Sequence, residues 1–80
     1  MKISELKIAL QEAGVGDTYV SLNGEVKNES LVLERPETGG WCVYYSERGE
    51  RGGERWFITE QEACRWIFDR LSGDPNVKAR

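Results

Sequence analysis

Eighty residues make one small domain, and a chain of this length buries only roughly 60–65% of the surface that its unfolded form exposes, so the core is thin. Eleven basic against fourteen acidic residues leave a net charge of −3, which disfavours nonspecific nucleic-acid binding and suits a basic protein partner. With no histidine and two cysteines outside any CxxC pair, a zinc site is disfavoured, and nothing in the chain asks for another metal or a cofactor.

The opening MKISELKIAL has spaced apolar residues, so it reads as neither a signal peptide nor a membrane span. It reads instead as a helix over residues 4–13. Leu6, Ala9, Leu10 and Ala13 recur on one face, Ser4 is the N-cap, and Ile3 and Ile8 have the spacing of a hydrophobic staple. Gly14 takes the position after the C-cap, where a positive φ is usual. TYVSL follows as a short strand, with a turn signal at Asn23-Gly24. SLVLER is the next strand, and PETGG is a loop.

WCVYYSER is the strongest strand in the chain. Alternation puts Trp41, Val43 and Tyr45 on one face and Cys42, Tyr44 and Ser46 on the other. ERWFIT is its partner, with Trp56 and Ile58 on the face opposite Arg55 and Phe57. A second helix covers residues 60–71, opened by a capping box at Thr59 and Glu62 and carrying a stripe of Ala63, Cys64, Ile67, Phe68 and Leu71. Ser72-Gly73-Asp74-Pro75 ends it. The expected organisation is one domain over 1–73 and a flexible tail over 74–80.

This order, helix, an antiparallel meander of three or four strands, helix, defines an α+β two-layer sandwich. One sheet face is covered by helices and the other faces water or a partner. Most of the eight aromatic residues should be core, because they hold much of the apolar area. Cys42 and Cys64 read as buried thiols in a reducing, cytoplasmic compartment.

The segment SERGERGGER, residues 46–55, reads as the tip between the two strands. Its three glutamates and three arginines cancel. It lacks the glycine spacing and the helix start of a phosphate cradle. Helix, three strands, helix is also the order of double-stranded-RNA-binding domains, but these need clustered basic charge, and here the second helix opens with Glu60 and Glu62. As structure, the tip is a solvated hairpin end with cross-strand ion pairs. As function, it is a partner-binding surface of Tyr44, Glu47, Arg48, Glu50, Arg51 and Arg55. Without histidine, Cys42, Cys64, Ser21 and Ser46 have no candidate base, so an enzyme is not expected.

YVSLNG (19–24), LVLE (31–34), WCVYYSERG (41–49) and FITEQEAC (57–64) together resemble the W-x-VYYSERG…F-x-[ST]-E-x-E-A-C pattern of a family of small bacterial immunity-like proteins. Such proteins occur beside, or fused to, polymorphic toxins, including NAD-glycohydrolase toxins similar to the tuberculosis necrotizing toxin. The resemblance spans about two-thirds of the chain. It implies a cognate inhibitor that binds a toxin domain in the cytosol and blocks its active site, with no catalytic residues of its own. Tyr45, Ser46, Glu47, Arg48 and Gly49 can equally be fold residues at a hairpin corner. Two other readings stay open: a nucleic-acid-associated or regulatory module, and a self-associating domain whose open face pairs with its own copy in a homodimer.

Overall fold

The computed structural model describes residues 1–77. Two α-helices, α1 (Ile3–Glu12) and α2 (Glu60–Ser72), flank four strands: β1 (Val20–Ser21), β2 (Ser30–Glu34), β3 (Trp41–Glu47) and β4 (Glu50–Phe57). Short 3-10 turns precede β1 at Asp17–Tyr19 and follow α2 at Pro75–Val77. The α+β order of helix, strands, helix is as the sequence leads one to expect.

The start of α1 lies earlier than the apolar spacing indicates. Lys2, not Ser4, is the N-cap; its extended backbone leads into a helix that begins at Ile3. Two of the amide donors that a helix start leaves unpaired are met by carboxylates. The Lys2 amide donates to Glu5 Oε1 at 2.8 Å, and the Ile3 amide donates to Glu60 Oε2 at 2.7 Å. The first residue of α2 thus ties down the first turn of α1. Ile8 is exposed and forms no staple with Ile3. Gly14 follows the C-cap at φ 81°, a left-handed conformation that costs glycine little.

α2 begins as its sequence indicates. The Thr59 hydroxyl accepts from the Glu62 amide at 3.2 Å and donates to the Glu62 carboxylate at 3.0 Å. Its stripe of Ala63, Cys64, Ile67 and Leu71 is buried, and Phe68 is half-buried at the edge.

The sheet order is β1-β2-β3-β4. β2, β3 and β4 form an antiparallel meander, while the two-residue β1 joins β2 in parallel, pairing Val20 with Leu31. The sheet is therefore mixed. The main core lies between one sheet face and the helices, where Leu6 and Leu10 of α1 and Cys64, Ile67 and Leu71 of α2 meet Leu31, Leu33, Trp41 and Val43.

Part of the segment expected as a flexible tail is packed. Val77 is buried in the main core, and its carbonyl accepts from the Gly16 amide at 3.0 Å. Residues 78–80 of that expected tail lie outside the described residues. No helix among the described residues is long and apolar enough to cross a membrane.

Candidate functional site: the hairpin and the cleft beside it

Residues 46–55 are mostly strand. The turn is only Arg48-Gly49, since Glu47 already pairs with Glu50. A type I′ hairpin turn, which matches strand twist, needs positive φ at both positions, and Arg48 (φ 53°) and Gly49 (φ 80°) supply it. For Arg48 this conformation is strained. Asn28 holds it, its Oδ1 accepting from the Arg48 amide at 2.7 Å.

The register then slips. Ser46 pairs with Arg51 and Tyr45 with Gly52, but Val43 pairs with Arg55, so Gly53 and Glu54 share the place opposite Tyr44. This is a β-bulge, with Gly53 at φ 61°. Its effect is on sidedness. In an unbroken strand, residues three apart point to opposite faces. The extra residue brings Arg51 and Glu54 onto the same face, where they form an ion pair at 2.8 Å.

The six residues expected at one partner surface consequently separate into three groups. Glu47, Glu50 and Arg55 lie on the helix-covered face. Arg48 sits in the turn. Tyr44 and Arg51 lie on the opposite face, where Tyr44 is 1% exposed and so is not a contact residue. The Arg51 guanidinium carbon lies 3.8 Å from the centre of the Tyr44 ring, and Nη2 is 3.8 Å from Cys42 Sγ. Glu34 at 3.4 Å and Glu54 at 2.8 Å hold the guanidinium there. Burial works against the Arg51 charge, but the two carboxylates outweigh it and raise its pKa. Beneath this lid, Val32, Cys42 and Tyr44 form a second small core on the face expected to be open. Burial pushes the Tyr44 phenol up, with Arg51 pulling the other way.

One accessible concavity lies on the helix-covered side, beside the C-terminal half of α2. A cleft of about 560 Å³ runs between the far half of the hairpin, the C-terminal half of α2 and the Pro75–Val77 turn. Tyr19, Tyr45 and Trp66 give it aromatic walls, Arg55 and Arg70 give it cations, and Gly52 and Gly53 leave its floor bare. Arg55 lies over the Trp66 ring at 5.2 Å, and Phe57 packs against the same ring at 6.2 Å. Among the described residues, neither Arg55 nor Arg70 has an ion-pair partner. Glu29 lines the other end, itself at φ 56°. Partial burial, Glu47 and Glu29 together raise the Tyr45 pKa.

At the tip, Glu47 stands directly opposite Glu50, and neither has an ion-pair partner among the described residues. Directly opposed like charges destabilise a hairpin. They continue the face of Tyr45 and Gly52, so the tip and cleft form one surface. Most aromatic residues are in or against a core, as expected; Trp56, 60% exposed on the other face, is an exception with Tyr45, and Ile58 is 87% exposed.

Both cysteines are fully buried. Burial first, then Glu54, raises the Cys42 pKa; burial first, then Glu60, raises that of Cys64. They lie in separate cores on opposite sides of the sheet, and both are free. No group of His, Cys, Asp or Glu among the described residues is arranged to hold a metal ion.

Tyr45, Gly52, Trp66 and Arg70 escaped the sequence reading as site residues. One signal for them was present: Trp66 falls off the apolar stripe of its helix, so it packs at the edge of the core and also lines the cleft. Comparison with protein-family models, with curated proteins and with solved structures finds no match.

Proposed function

We propose that this chain is an immunity-type protein that binds a cognate bacterial toxin domain and inhibits it by covering the active site. The observation that carries this reading is the cleft. Three aromatic side chains and two arginines free of ion pairs among the described residues surround a bare glycine floor, the residue types that dominate interface energetics. The opposed Glu47 and Glu50 extend the same surface, and their repulsion is relieved by a basic segment of a partner. The sequence pattern supports the toxin partner, of NAD-glycohydrolase type, and a cytoplasmic site of action. The contact would cover on the order of 1,200–2,000 Å² in total. The chain itself performs no catalytic step in this scheme.

The test starts with tagged full-length protein, its co-purifying toxin domain and an assay of that toxin's reaction. Inhibition should be complete at one chain per toxin. Gly52→Leu should weaken it at least tenfold with an unchanged circular dichroism spectrum, because a side chain there fills the cleft and its Cβ meets no atom within 4 Å. If no toxin domain binds, the inhibitor reading fails. If inhibition survives Gly52→Leu and Glu47→Arg alike, the cleft and tip are not the binding surface.

A further inference from the structure

We propose that β4 is a self-association edge, at which two copies pair antiparallel about a two-fold axis lying between Gly52 and Gly53. The inference does not rest on the inhibitor reading. Among the described residues β4 has a neighbour on one side only, and every residue from Glu50 to Trp56 is exposed. An edge strand of eight residues is a template for another strand.

The occupant follows from the charge pattern. Residues 50–55 read Glu-Arg-Gly-Gly-Glu-Arg. Laid antiparallel on itself about its centre, the segment sets Glu50 against Arg55 of the second copy and Arg51 against Glu54 of the second copy. All four charged positions thereby meet the opposite sign, and glycines meet at the axis. Opposite charges directly across a strand pair are stabilising, and a two-fold contact uses each such pair twice.

Sidedness agrees independently. Residues paired across antiparallel strands must point to the same face. In a regular strand, Glu50 and Arg55, five apart, would point to opposite faces, and so would Arg51 and Glu54. The bulge at Gly53 corrects both: Glu50 and Arg55 lie on the helix side, and Arg51 and Glu54 lie on the other. The same register brings the exposed Trp56 beside the Arg48-Gly49 turn of the second copy, where Gly49 has no side chain.

Light scattering and sedimentation of the full chain, from about 1 μM to about 1 mM, test the proposal. The expected mass at the upper end is twice 9.1 kDa. Glu50→Arg and Arg55→Glu should each raise the dissociation constant at least tenfold, by opposing like charges. The double variant Glu50→Arg/Arg55→Glu should restore it to within about threefold of the wild type, since the swapped segment is again self-complementary. Glu50 is exposed and has no ion-pair partner among the described residues, so its replacement leaves the fold intact; circular dichroism checks this. A chain that stays monomeric at 1 mM overturns the proposal. So does a dimer that ignores the single reversals, or one that the double variant fails to restore.

Discussion

The two faces of the sheet are closed by different means. On one, two helices bring leucines, Ile67 and Cys64 down on Trp41 and Val43. On the other, no helix packs among the described residues, and Val32, Cys42 and Tyr44 are buried, with one guanidinium laid over the phenol and held by two carboxylates. An arginine can act as core cover because its flat, weakly hydrated cation stacks on a ring while its edge keeps hydrogen bonds. The first face depends on apolar burial, which charge screening by salt does not weaken. The second depends on a charge network at the surface.

The largest effect should come from the helix-covered side. Ile67→Ala, at a fully buried position, should destabilise by about 2–5 kcal/mol in urea unfolding, at low and high salt alike. Arg51→Ala should cost less, about 1–2 kcal/mol, the sum of a stacked cation and partly exposed ion pairs. Its cost should shrink as salt is raised, because the wild type loses the screened part that the variant already lacks. If Arg51→Ala is as costly as Ile67→Ala and insensitive to salt, the contrast between the faces fails.

Smaller again, and of opposite sign, is the turn that joins the two longest strands. Arg48→Asn should stabilise by about 0.5 kcal/mol, since asparagine tolerates the left-handed conformation that arginine resists. A thermal melt at two protein concentrations would read it apart from any self-association.

The last difference is absent at neutral pH. Each face buries one thiol with a pKa raised above the ordinary 9.0. The folded chain therefore keeps protons that the unfolded chain releases. The stability they contribute is full below the unfolded pKa and is lost as pH rises through the alkaline range. Unfolding midpoints measured between about pH 8 and about pH 10 should fall, and Cys64→Ala and Cys42→Ala should each flatten that fall. A slope unchanged in both variants would mean that neither thiol is shielded as described.

Much of the fold is legible in the sequence because its signals are local. Thr59 with Glu62 starts a helix, Gly14 stops one, and the alternation in WCVYY separates Trp41 and Val43 from Cys42 and Tyr44. What is hidden depends on contacts far apart in the chain. Glu60 caps α1 across the fold, which no local pattern at Ser4 can reveal. The bulge at Gly53 breaks the period of two in the middle of β4, so the strand resembles a charged loop. Tyr44 looks solvent-facing because no helix covers it, and only the fold of the hairpin brings Arg51 above it. The cleft is harder still, since its walls come from the turn before β1, three strands, α2 and the C-terminal turn.

The separation of the two cysteines by the sheet has a practical consequence. A thiol reagent attacks a buried cysteine only when the structure around it opens, so its labelling rate measures the free energy of that local opening. Cys64 reports on the departure of the helices and Cys42 on the opening of the small core under Arg51 and Glu54. One chain thus carries two natural clocks, one for each side, and neither can be silenced by a bond to the other while the sheet stands between them.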